Sequence, residues 1–177
     1  ECCVYMSDII TTVKGMAANL STSSEGEFTI EEMTKRVQMF LKGKLGKNGC
    51  RLSVSDELPE GTVIHGDINN MVQVINNLVD NACDAMEDSG GEIRLRVFQT
   101  EGGICMMVRD QGCGIPDDVK EKLFRSMYTT KGTKGTGLGL YSSAEIIRAR
   151  FGGKIWVEDN EDGGASFFVE LPDDERG

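Results

Sequence analysis

The strongest helical stripe in the chain runs through Ile68, Met71, Val72, Ile75, Leu78, Val79, Ala82 and Met86. Steps of three and four residues put these side chains on one face of a helix, and a face this apolar needs a sheet to bury it. The opposite face is amide and carboxylate, with Asn77 and Asn81 four apart and Asp80 and Asp84 beside them. Asp67 stands where an N-cap is needed. A second helical pattern spans 30 to about 45, opened by Thr29 and Glu32 in capping-box spacing and punctuated by Gly43, Gly46 and Gly49. A third covers 138 to about 150. Strand patterns fall at 27–29, 51–57, 92–99, 104–110, 154–158 and 165–171. The third and fourth of these make a hairpin that turns at Gly102 and Gly103.

Two stretches stand apart from this alternation. Residues 4–21 carry helical spacing through Val4, Ile9 or Ile10, Val13, Met16, Ala17 and Leu20 but have no sheet of their own. A lone helix of that length is marginal in water, so it is expected to dock on the main domain or on a helix of another chain. The polar run at 21–26 reads as a linker, which divides the chain into 1–24 and 25–177. Between 111 and 136 the periodicity is confined to a helical patch at 116–123, begun by Pro116. So long an unpatterned stretch inside a domain is usually functional, and 115–136 is expected to form a lid that moves until a ligand orders it.

Composition narrows the classes. At 177 residues, 39% hydrophobic and 27% charged, the chain suits one well-packed domain. A formal net charge of -10 argues against nucleic-acid or anionic-membrane partners, which select basic surfaces. No apolar run reaches membrane-spanning length. The sequence opens on Glu1 rather than Met, so a fragment of a longer protein is expected. Six cysteines and one histidine, with no C-x-x-C pair, disfavour a zinc site. Cys83, Cys105 and Cys113 are expected as small buried residues of a reduced, cytoplasmic domain.

Three clusters carry candidate chemistry. Asn77 and Asn81 offer oxygens from one rigid helix face, which suits Mg²⁺, a hard cation that binds through one or two protein groups plus phosphate and water. Asp110-Gln-Gly112-Cys-Gly114 comes directly off a strand. A strand-end carboxylate can accept from an exocyclic amine, and glycines let a flat ring such as adenine approach the backbone. Gly135-Thr-Gly137-Leu-Gly139-Leu runs into a helix, leaving backbone N–H groups to meet phosphate, with Lys131 and Lys134 just before it. Each cluster has a plainer reading taken singly: a solvated helix face, a tight acidic turn, a glycine hinge.

Together and in this order, the clusters resemble the catalytic and ATP-binding domain of sensor histidine kinases, within the GHKL superfamily that also holds topoisomerase, mismatch-repair and chaperone ATPases. The resemblance covers about residues 27–172. It implies a two-layer α/β sandwich, a mixed sheet of about five strands with three helices on one face and an ATP lid. It implies Asn77 to Asn81 as the N box, with Asn81 holding Mg²⁺, and Asp110, Gly112 and Gly114, continued by Ile115, as the first glycine box that receives adenine. Leu123-Phe124 with Tyr128, Thr130 and Lys131 is similar to the F box and its lid lysine, and Gly135, Thr136, Gly137, Leu138, Gly139 and Leu140 to the second glycine box. Ser166 stands where the last strand usually carries a Thr that supports the adenine aspartate through water, and it keeps the hydroxyl. Asn77 and Lys131 are the implied catalytic residues, and Lys134 a further phosphate contact.

The resemblance also implies partners: ATP, the dimerisation and phosphotransfer helices of a parent kinase, and a response regulator. The setting would be cytoplasmic, with membrane tethering through upstream parts. Residues 4–21 resemble the end of the second phosphotransfer helix, without the histidine box. Two departures are visible. The F box reads Phe124-Arg-Ser126-Met127-Tyr128 where many relatives have F-x-P-F-F, and Asp84 stands where some relatives carry a basic phosphate contact, leaving more to Lys131 and Lys134. His65 is read as an ordinary surface or strand-end histidine. An ATP-hydrolysing switch is the competing enzyme class, disfavoured because Asn77 replaces the glutamate base of those ATPases and an amide cannot activate water. A nucleotide-binding docking module is the third.

Overall fold

The computed structural model describes residues 26–87, 89–120, 122–124 and 138–173. The expected helix at 4–21 and the lid from 125 onward lie outside them.

Strand β1 (Glu27–Thr29) leads directly into α1 (Ile30–Lys47). The predicted capping box forms: Glu32 N–H donates to Thr29 Oγ1 at 3.2 Å, and Thr29 N–H donates to Glu32 Oε2 at 3.0 Å. The helix outruns the expected end near 45. Leu45 is buried and holds the last turn down, while Gly43 and Gly46 face open space and cost only propensity. Strand β2 (Cys50–Asp56) follows, then β3 (Val63–His65), which pairs antiparallel with β1 as a separate two-stranded ribbon. That three-residue strand is too short to show a period and was not expected. His65 ends it, exposed and 3.2 Å from Glu27.

The central helix α2 (Ile68–Ala85) starts where Asp67 Oδ1 accepts from Asn69 N–H at 2.8 Å. Its predicted stripe is in the core, with Met71, Ile75, Leu78, Val79 and Ala82 fully buried and Ile68 half-buried. Hairpin β4 (Gly91–Thr100) and β5 (Gly103–Arg109), the short α3 (Asp117–Lys120), α4 (Leu138–Phe151), β6 (Lys154–Asp159) and β7 (Ala165–Leu171) complete the order. The five-stranded sheet has the order β2-β4-β5-β7-β6, with β2 parallel to β4 and every other neighbour antiparallel.

Register sorts the two faces. Leu95 lies opposite Val108, Met106 opposite Val169, and Val108 opposite Phe167, so one row of apolar side chains crosses the sheet beneath α1, α2 and α4. The fold is the expected two-layer sandwich. The other face carries Arg94, Arg96, Met107, Arg109 and Phe168, with Trp156 stacked on Phe168 at 5.1 Å between ring centroids.

Candidate functional site

Strand β5 ends at Arg109, and the next residue is the buried Asp110. Its main chain continues the sheet, Asp110 N–H donating to Ala165 O at 2.9 Å. Its Oδ1 accepts from Gly112 N–H at 2.8 Å and from Ala165 N–H at 3.1 Å. Oδ2 makes no hydrogen bond among the described residues, and Asp110 lines a cavity of about 260 Å³. Burial pushes the Asp110 carboxyl above its usual range, while the two N–H groups and the Arg109 charge pull it partly back. The result is a buried acceptor facing an apolar slot.

Two glycines make this arrangement possible. A Cβ on Gly164 would lie 2.4 Å from Asp110 O and 2.8 Å from its Oδ1, at a φ of +82°. A Cβ on Gly112 would lie 2.7 Å from both Ala85 Cβ and Ala85 O, so this glycine lets the turn press against the end of α2.

The cavity is walled by Asn81, Asp84 and Ala85 from α2, by Cys113 to Pro116, Val119 and Leu123 after β5, by Leu140 from α4, and by Ala165 and Phe167 from β7. Phe124 meets Phe167 edge to face at 6.4 Å, so the start of the F-box segment packs beneath the site. Of the residues singled out from sequence, Asn81, Asp84, Asp110, Gly114, Ile115 and Leu140 come together here. Gly112 contributes its N–H from the turn.

Asn77 is placed differently. Its Nδ2 donates to Gly139 O at 3.3 Å and Ser143 Oγ at 3.2 Å, tying the central helix to the first turn of α4, where the second glycine cluster enters the described structure. Leu138 begins α4. Tyr128, Thr130, Lys131, Lys134, Gly135, Thr136 and Gly137 lie outside the described residues.

Two expectations are corrected. Ser166 does not face the cavity: it pairs with Arg109 on the other side of the sheet, and its Oγ donates to Asn160 Oδ1 at 2.6 Å. Asn160 Nδ2 in turn donates to Asp110 O at 2.8 Å, so the hydroxyl supports the aspartate's main chain from behind. One step along a strand reverses the side, and Ala165 is the residue that meets Asp110. The alternation Ala165, Phe167, Val169, Leu171 in the sequence held that signal. Cys113 is exposed rather than buried, because the glycine turn carries it out of the sheet; Cys50, Cys83 and Cys105 are buried.

Among the described residues no group of three His, Cys, Asp or Glu gathers to hold a metal alone. The Asn81 amide on one wall suits a divalent cation that takes its remaining oxygens from water and phosphate, while the Asp84 carboxylate beside it is paired with Lys44. A broader depression of about 370 Å³ on the open sheet face, lined by Ser53, Ser55, Arg94, Arg96, Met107 and Arg109, has no buried acceptor. Its arginines are engaged by Glu92, Glu57 and Asp162.

Helices on one face of a mixed sheet, with a slot closing on a buried strand-end carboxylate, define a nucleotide-binding α/β domain. The model of the histidine kinase-, DNA gyrase B- and HSP90-like ATPase family matches residues 66–175, and the chain belongs to that family. It has the form of the catalytic, ATP-binding domain of sensor histidine kinases. The catalytic domain of histidine kinase ThkA is 32% identical, with a TM-score of 0.73 over 84% of this chain and 95% of that one. ThkA in complex with response regulator protein TrrA gives a TM-score of 0.77 at 28% identity, over 97% of this chain and 49% of that one. Sensor histidine kinase TmoS of Ectopseudomonas mendocina is 36% identical over 76% of this chain, which spans 14% of TmoS.

Proposed function

We propose that residues 25–177 bind Mg-ATP between the central helix and the segment after β5, and deliver its γ-phosphoryl group to a histidine on a separate helical domain. By the resemblance, residues 1–24 are assigned to that domain's second helix plus a linker. The observation that carries the reading is Asp110, a buried carboxylate with one oxygen fixed by two backbone N–H groups and the other turned to an apolar slot. An adenine exocyclic amine supplies the missing donor. The glycine turn and Ile115, Leu140 and Phe167 cover the ring.

Asn81 would hold Mg²⁺ through its side-chain oxygen, and the bound ion would supply neutralisation of phosphate charge. By the resemblance, Lys131, Lys134 and the N–H groups of Gly135, Gly137 and Gly139 are assigned to receive the phosphate tail, and Tyr128, Thr130, Thr136 and Leu138 to the same site. Asn77 ties Gly139, the last glycine of the second cluster, and Ser143 to the central helix. Positioning and charge neutralisation are then the protein's main contributions to transfer.

The hydrolase reading lacks its base at Asn77. The Asn77 amide has no basic lone pair and its Nδ2 is committed to α4. No described helix is long and apolar enough to cross a membrane. A cytoplasmic domain tethered through upstream parts, serving a response regulator as ThkA's complex with TrrA does, fits the resemblance.

The test is incubation with γ-labelled ATP, on this chain and on a longer chain carrying the upstream helices. Acid-labile label on the longer chain alone is expected. Label on the isolated chain that vanishes in His65→Ala would overturn the division of labour.

A further inference from the structure

Asp84 poses an electrostatic problem. It lines the cavity beside Asn81 and one turn beyond Asp80, so a polyanionic ligand must enter past a carboxylate on a chain that already carries a net charge of -10. The structure answers it from a different element. Lys44, in the last turn of α1, reaches across to α2 and places Nζ 3.0 Å from Asp80 Oδ1 and 3.3 Å from Asp84 Oδ1. The three side chains are a third exposed, and Asp80 Oδ1 itself is sealed from solvent, so this pairing is screened less than a surface bridge. Lys44 is the lysine that ties the basic end of α1 to the polar face of the central helix.

We propose that Lys44 is a positioning residue for the polyphosphate part of the nucleotide, acting through Asp84. It fixes that carboxylate against the α1 side of the cavity and, shared with Asp80, offsets one of the two negative charges, so the wall bearing Asn81 repels less where phosphate must pass. Without Lys44 the two carboxylates, four residues apart on one helix face, repel each other and the ligand. The effect scales with ligand charge. A base and sugar without phosphate should not sense it, whereas a triphosphate should sense it most. This rests on the nucleotide reading of the cavity given above.

The experiment is calorimetric titration with ATP, ADP and adenosine, each with magnesium, of the parent chain and of Lys44→Met, Lys44→Arg, Asp84→Asn and Lys44→Met/Asp84→Asn, with circular dichroism to confirm folding. Lys44→Met should weaken ATP about tenfold, ADP about threefold and adenosine not at all. Lys44→Arg should keep the parent pattern. Adding Asp84→Asn to Lys44→Met should restore at least half of the loss on a logarithmic scale. Equal losses for all three ligands, or none, would overturn the proposal, as would a double variant no better than Lys44→Met. If Lys44→Met does not fold, Asp84→Asn alone decides: ATP binding at least as tight as the parent's supports the repulsion, and weaker ATP binding with adenosine unchanged refutes it. A parent chain that binds none of the three ligands would instead defeat the nucleotide reading itself.

Discussion

Asp110 and Cys113 sit three residues apart and meet opposite fates, because the sheet's hydrogen bonding, which reaches Asp110, ends before Cys113. Asp110 stays within the sheet's hydrogen bonding, and Cys113 rides the glycine turn outward. The buried, strand-end placement of Asp110 was legible in the sequence because few settings put a carboxylate between a buried strand and paired glycines. Ser166 misled because hydroxyl chemistry drew attention to it, when the side it faces is decided by strand alternation alone. Among the described cysteines, burial pushes Cys50 and Cys105 up to about 11, while Cys113 is open to solvent. A small disulfide reagent near neutral pH should therefore label Cys113 in the folded chain and spare Cys50, Cys83 and Cys105, as read by peptide mass mapping. Because the folded Cys105 thiol keeps its proton above the ordinary value of 9.0, its contribution to stability is full below that pH and is lost as pH rises toward about 11. Cys105→Ala should flatten that alkaline decline in urea titrations. An unchanged slope would contradict the assignment.

At the scale of elements, α1 and α2 were legible because an N-cap and an apolar stripe agree, although α1 runs past its expected stop. Thr29 with Glu32 fixed one start and Asp67 another, and the stripe of α2 marked its buried face. The ribbon of β1 and β3 was half hidden, since three residues give no period and only the pairing of Phe28 with Ile64 makes β3 a strand. Two substitutions separate local from packing contributions. Thr29→Ala removes the capping box and should cost about 0.5–2 kcal/mol in denaturant unfolding. Leu78→Ala opens a cavity between the central helix and the sheet and should cost about 2–5 kcal/mol, with nucleotide affinity falling as α2 loosens. A loss at Leu78 no larger than that at Thr29 would mean the central helix is not the mechanical centre of the domain.

The whole molecule is an acidic sandwich that accepts a still more acidic ligand. Its layers explain how. The sheet buries one carboxylate at the edge of the cavity, and the helices bring Asn81 and the Lys44-paired Asp84 to its wall. The order of the motifs was readable before the structure because each needs a particular element beneath it: a strand end for Asp110, a helix start for Gly139, a rigid rod for Asn77 and Asn81. The three-dimensional pairing of Lys44 with Asp84 was not, since 40 residues of sequence separate them and neither carries a motif. The central claim is that Asp110 reads the adenine amine, and one measurement addresses it directly: calorimetric titration of Asp110→Asn with Mg-ATP beside the parent chain. An amide at that position turns a donor toward a donor, which should cost about 1–3 kcal/mol, or roughly 5- to 150-fold in affinity, with the fold intact by circular dichroism. Binding of Mg-ATP by Asp110→Asn as tight as the parent's would contradict the account.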